Sequence, residues 1–187
     1  MRRFLLPALM ISLLLTGCGA GDAEERLKAQ REVFAAAEEI TFSADVTADL
    51  GSEIFECSAD CTYTPEKMTV EITAPESVAG VRTSIEDGKT VLEYGGLSLG
   101  VGADAAEGLS PVGALPLLTE ALRGGFLQRC WTETDGEREL IAAELFVDDE
   151  TELTVWYTGT DVIPVHCEFS RGGQVLLRCE LREFTFR

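Results

Sequence analysis

The chain has one histidine, His166, in 187 residues. That excludes a zinc site built from imidazoles, and it excludes most nucleophile–base pairs, for which histidine is the usual proton acceptor. Basic residues are also scarce: 15 lysines and arginines stand against 33 aspartates and glutamates, a formal charge of −18. Phosphate backbones and anionic headgroups both select basic patches, so nucleic acid is excluded as a partner. No apolar run reaches the length of about 20 residues that a bilayer-spanning helix needs. Phosphate loops, nucleophile elbows and paired-carboxylate motifs are all missing, so the chain is read as a non-enzyme with no cofactor. The acidic turns Asp135-Gly136-Glu137 and Asp148-Asp149-Glu150 lack the loop pattern that gives calcium its about six to eight oxygens, and no metal is expected.

What is present begins at the front. Arg2 and Arg3 precede an apolar run from Phe4 to Leu15, which ends in Leu15-Thr16-Gly17-Cys18. This is the charged head, short apolar core and small-residue cleavage site of a secretory signal. A cysteine directly after Leu-Thr-Gly resembles the lipobox of bacterial lipoproteins, whose cysteine is acylated before the chain is cut ahead of it. The expectation is a signal peptide over 1–17, a lipidated Cys18, a linker over 18–24 and one domain over 25–187. The protein would then sit on the extracytoplasmic face of the cell membrane, attached through its N-terminal lipid. Loss of Arg2 and Arg3 leaves 13 basic residues against 33 acidic ones, a charge of −20, so the lipid anchor works without electrostatic help.

Asp22 is placed to cap a helix running to about Glu39, with Leu27, Gln30, Val33, Phe34, Ala37 and Ile40 near one face. The period then changes to two. Phe42, Ala44, Val46, Ala48 and Leu50 alternate with polar residues, as do Phe55, Cys57, Ala59, Cys61 and Tyr63 after a Gly51-Ser52 turn. Met68, Val70 and Ile72 mark a third strand, and Val81, Thr83 and Ile85 a fourth. The fourth leads through Asp87-Gly88, a hairpin signal, to Thr90–Tyr94. Leu97-Ser98-Leu99 extends the pattern past Gly95-Gly96. From Gly100 to Gly125 the alternation stops: Ala103–Glu107 reads as a helical turn, and Pro116 as the first residue of a helix carrying Leu117, Leu118, Ala121 and Leu122. Strands resume over Phe126–Thr132, Leu140–Val147 and Glu152–Thr158, and Phe184–Phe186 reads as a last short one.

In the hairpin before that last strand, a three-residue loop Arg171-Gly172-Gly173 places Val165, Cys167 and Phe169 opposite Cys179, Leu177 and Val175. Cys167 and Cys179 are then diagonal neighbours, about 7–8 Å apart, and are expected to be core-facing and reduced. Cys57 and Cys61, four residues apart on one strand, are separated by about 13 Å and cannot bridge each other. Lipid on Cys18 leaves five cysteines, an odd number, and a bridge from Cys130 to another of them stays open. Trp131 and Trp156 are expected in the core, and His166 on the outward face beside Glu168.

Tyr63-Thr64-Pro65-Glu66-Lys67-Met68, Pro75-Glu76, Glu86-Asp87-Gly88-Lys89 with Tyr94, and Thr160-Asp161-Val162-Ile163-Pro164 together resemble the LolA/LolB-like bacterial lipoprotein family. The resemblance implies a mainly β fold (α+β): a curved antiparallel sheet, or incomplete β-barrel, of about 10–11 strands with helices on its concave face. It implies a concave face that binds apolar ligands such as lipid or lipoprotein acyl chains. The floor of that face falls on Phe42, Val46, Phe55, Tyr63, Met68, Val70 and Ile72, with Leu118 and Leu122 from the helical insert. The helices supply few large side chains for so wide a sheet, so a residual apolar cavity is expected. Among lipid-anchored members the chain also resembles the germination lipoprotein GerS branch, which implies an extracytoplasmic protein partner, a cell-wall (cortex) amidase. One family device is missing: between Thr41 and Thr64 there is no arginine or lysine to hold a lid from an early strand.

Overall fold

The computed structural model describes residues 19–49, 51, 53–101 and 109–187. The expected signal peptide, Cys18, Leu50, Ser52 and the turn expected over Ala103–Glu107 lie outside the described residues. The elements are α1 (Gly19–Ala36), β1 (Ile40–Asp49), β2 (Ile54–Tyr63), β3 (Lys67–Ala74), β4 (Arg82–Glu86), β5 (Lys89–Tyr94) and β6 (Leu97–Val101). After them come α2 (Pro111–Gly124), β7 (Leu127–Asp135), β8 (Arg138–Phe146), β9 (Thr151–Thr158), β10 (Pro164–Arg171) and β11 (Gln174–Phe186).

The strands form one antiparallel sheet in the order β6-β5-β4-β3-β2-β1-β11-β10-β9-β8-β7. The first and last strands therefore pair in its middle. The consecutive strands β6 and β7 lie at opposite edges, so the curved sheet stays open. Strict alternation in β1 chooses the face: every second residue from Ile40 to Ala48 is buried, and the polar residues between them are not. The register carries this row outward, with Phe42 against Cys61, Cys61 against Val70, and Val70 against Thr83. Asp87 and Gly88, at φ 49° and 70°, make the expected two-residue turn, in which both positions must be left-handed.

The structure departs from the sequence pattern at several places. The first helix opens at Gly19, inside the stretch expected as linker, so Asp22 lies in its first turn and is not its cap. It ends at Ala36; Val33 is 46% exposed, while Leu27, Phe34 and Ala37 are buried. α2 starts at Pro111, ahead of Pro116. Ser110 is extended and its hydroxyl accepts from the Gly113 amide at 3.0 Å, so a capping serine followed by proline is the stronger start signal.

The last strand is not separate. β11 runs unbroken to Phe186, and left-handed Glu183 (φ 52°) falls where its pairing with β1 slips by one residue. The β10–β11 loop has two residues, Gly172 and Gly173, and Leu176 is bulged out between Val175 and Leu177. The bulge absorbs the face change that a two-residue loop alone would impose. The register ends two residues from the expected one. The inward set Cys167, Phe169, Leu177 and Cys179 is preserved and buried, but Cys167 faces Cys179 directly, and Val175 pairs with Ser170.

Both tryptophans are also elsewhere than expected. Trp131 and Trp156 lie on the convex face, and the buried Ala142 pairs with each of them. Their indole N–H groups donate to the two oxygens of Glu133, at 2.5 and 2.9 Å. Alternation sets the face: Leu153, Val155 and Tyr157 are the buried row of β9, and Trp156 lies between them, opposite Ala142 as Trp131 is.

Candidate ligand-binding face

The concave side has a closed part and an open part. The closed part is the floor over β1–β3. Phe42, Val46, Met68, Val70 and Ile72 are at most 7% exposed, and Leu118 and Leu122 of α2 are fully buried in the same cluster. Phe55 and Tyr63 are half-buried and pack against it. All nine expected residues are thus brought together in one cluster, and the floor they form is closed to solvent. Cys61 reports how dry the floor is: burial pushes its thiol up to about 12, opposed by a hydrogen bond with Thr119 on α2. On the other half of the sheet Tyr157, Phe169, Leu153 and Val155 are fully buried. Phe34 of α1 makes edge contacts with Phe184 and Phe186 at 5.6 and 5.2 Å.

Two arginines hold the helices to each other. Arg31 of α1 donates to the carbonyls of Ala121, at 3.2 Å, and Gly125 at the end of α2. Arg123 of α2 donates to the carbonyl of Ala35 at the end of α1, at 3.0 Å, and its guanidinium lies 4.2 Å over the Tyr63 ring. Each cation therefore sits on the negative end of the other helix, where unpaired carbonyls collect. Sequence reasoning looks for a lid arginine in an early strand and misses these. A signal is present, since Arg123 is the one basic residue of its helix and stands in the last turn.

The open part is β4–β6. Thr83 pairs with Leu92 and Leu92 with Leu99, so the floor's row continues onto the last strands. α2 rests on β1–β3. Leu97 is 79% exposed, Leu99 64% and Tyr94 49%, all on the concave side beside half-buried Leu92. Among the described residues, this apolar ledge at the mouth of a packed core is where the concave face lacks cover. A cleft of about 760 Å³ elsewhere, lined by Arg26, Glu139, Leu140 and Thr160 among others, contains none of the expected residues. Arg26 is already engaged there with the carbonyls of Gly159 and Thr160.

The convex face carries further polar groups. His166 lies there as expected, with Nδ1 2.8 Å from Glu180, Nε2 3.6 Å from Glu168, and the Trp156 ring at 4.9 Å. Glu168 also accepts from Arg178 at 2.7 Å. Asp148 accepts from the amides of Glu150 and Thr151, both at 2.8 Å, and these bonds hold its carboxyl below the usual carboxylate range. Its Oδ1 takes both bonds and closes the β8–β9 turn.

No family model matches the sequence, and no curated protein matches it. Solved structures do match its fold. One from Vibrio parahaemolyticus, described as an outer membrane lipoprotein-sorting protein domain, superposes at a TM-score of 0.52 with 10% identity, covering 90% of this chain and 92% of that one. A conserved protein from Thermus thermophilus gives 0.52 at 14% identity, covering 89% and 88%. MucB gives 0.52 at 11% identity, with 89% of this chain spanning 59% of that one. With its open sheet of 11 strands and helices laid along the concave side, the chain has the LolA-like fold.

Proposed function

We propose that the protein is a membrane-tethered, extracytoplasmic lipoprotein that binds an acyl chain, of a lipid or of a lipoprotein, without catalysis. The observation that carries this reading is the uncovered ledge of Leu92, Tyr94, Leu97 and Leu99, continuous with the buried floor. Such a ledge is unfavourable in water, and burial of its leucines depends on shape and area and needs no charge on the ligand. The ledge is the entry. Phe42, Val46, Phe55, Tyr63, Met68, Val70 and Ile72 form the deeper wall, reached when α2, with Leu118 and Leu122, shifts away from the sheet. Cys18, acylated before 1–17 is removed, keeps the mouth near its membrane source.

The test is native mass spectrometry of the mature chain carrying Cys18→Ala, so that its own lipid cannot occupy the mouth. A co-purifying acyl lipid, displaced by added fatty acid, is the expected result. A lipid-free protein that takes up no fatty acid overturns the reading.

The packing of the floor favours a second reading. If α2 never leaves β1–β3, the ledge is a docking surface for an apolar segment of an extracytoplasmic protein. A GerS-like regulator of a cell-wall amidase would use it in that way. Protection of Leu97–Val101 from hydrogen exchange by such an amidase, and not by fatty acid, separates the two readings.

A further inference from the structure

Cys167 and Cys179 occupy directly opposed positions on β10 and β11, and both side chains are fully buried on the concave side. Both are free thiols in the structure. Opposed residues of an antiparallel pair have Cα atoms about 4.5–5.5 Å apart, inside the about 4.4–6.8 Å range of disulfides. The Cys179 thiol is also near enough to add to the rise that burial imposes on the Cys167 thiol. No other pair among the described residues has this placement. Cys57 lies in the same row, but Val46 of β1 pairs with both Cys57 and Cys179 and stands between them. Two strand spacings put those positions about 9–10 Å apart, out of reach. Cys130 pairs with Ala143 on β8, still further along the sheet.

From this geometry we infer that Cys167 and Cys179 are an oxidation site, closed to a cross-strand disulfide when the exported chain folds in the presence of a disulfide oxidant. The exchange balances in two steps. The thiolate of one cysteine attacks the oxidant's disulfide, forming a mixed disulfide and expelling one oxidant thiolate. The second cysteine's thiolate then attacks the protein sulfur of that mixed disulfide and expels the other oxidant thiolate. Two protein thiols lose two electrons and two protons, and the oxidant ends as two thiols.

Timing follows from burial. In the folded chain neither sulfur is exposed, and burial holds the Cys167 thiol well above its ordinary range, so the attacking thiolate is scarce. The bond therefore forms while the β10–β11 hairpin is still open, and afterwards neither oxidant nor reductant reaches it. Folding sets the state and packing keeps it.

Export, which the proposed function includes, supplies the oxidising compartment, and the experiment has one arm that depends on it and one that does not. In the first, the full-length chain from expressing cells, from whichever fraction holds it, is alkylated in denaturant without reductant and mapped by peptide mass. Alkyl groups on Cys57, Cys61 and Cys130, with Cys167 and Cys179 in one linked peptide, are expected. Refolding with the pair reduced should lower Tm by about 6–12 °C, the loss typical of a short-loop disulfide in a domain of this size. Alkyl groups on all five of these cysteines, or a different linkage, overturn the inference.

In the second arm, mature chain carrying Cys18→Ala and refolded from denaturant with oxidised glutathione should become two hydrogens lighter, whereas the folded dithiol form treated identically should not change. Adding Cys57→Ala or Cys130→Ala should retain the mass loss, and adding Cys179→Ala should abolish it. A refolded chain with all five cysteines and unchanged mass overturns the inference without reference to those further variants.

Discussion

Replacing Leu97 and Leu99 by threonine tests whether the ledge is a binding surface. Threonine suits a strand, so β6 should survive, and side chains this exposed contribute little to the fold. Each change should cost below about 0.5 kcal/mol, or about 1–2 °C in Tm. Binding should respond differently. Complete burial of a leucine is worth about 1.5–3 kcal/mol. Leu97 and Leu99 keep 79% and 64% of their surface for a ligand to cover. Each is therefore worth about 1–2 kcal/mol to an acyl chain, and losing both weakens binding between about 30-fold and about 1,000-fold. A fluorescent fatty acid displaced by unlabelled palmitate gives the affinity, and circular dichroism gives Tm. Ile54→Thr is the control, because Ile54 is 70% exposed but lies on the convex side. Unchanged affinity in a folded double variant, or an equal loss in the control, would refute the reasoning.

Cys18→Ala should leave the protein soluble or as an unprocessed precursor, read by membrane fractionation with N-terminal sequencing. Arg31→Met and Arg123→Met should each cost about 1–2 kcal/mol by freeing helix-end carbonyls, and should speed both ligand entry and exit in stopped flow. Ala44→Trp should cost about 3 kcal/mol or more in a urea melt, because Ala44 is fully buried in the closed floor. Cys61→Ala should flatten the alkaline stability limb. The folded thiol lies near 12 against an ordinary 9.0, so its contribution is intact below about pH 9 and fades towards pH 12.

The strands are legible in the sequence because their signal is local. Alternation over Ile40–Ala48 and the Asp87-Gly88 turn each depend on a few adjacent residues, and both appear as expected. The errors lie where a distant or hidden term decides. Leu176 is apolar whether it is paired or bulged, so composition does not separate a three-residue loop from a two-residue loop with a bulge, and the facing of Cys167 and Cys179 turns on that choice. Trp131 and Trp156 read as core because they are large and apolar, but the register puts both opposite Ala142 on the convex face, where Glu133, two residues from one and 23 from the other, accepts from both. The nine floor residues are found because they obey the period. Their closure is not, because it depends on where α2 lies.

Connectivity explains why the exposed ledge falls on β4–β6. Only Ala37 to Glu39 separate α1 from β1, and only Gly125 and Phe126 separate α2 from β7. Both helices are therefore tied to the central strands or to the β7 edge, and their arginine clasp holds each against the other's C-terminus. A helix of 14 residues is about 21 Å long, about four or five strand widths. α1 packs on β7 and α2 on β1–β3, so the main helix–sheet contacts stop short of β4–β6. Among the described residues there is no further helix to place there, and the apolar row on Leu92 and Leu99 is left facing water. Apolar side chains at such positions have little role in the packed core, and on the proposed reading the ledge, and not the buried floor, is where an acyl chain would gain most by binding.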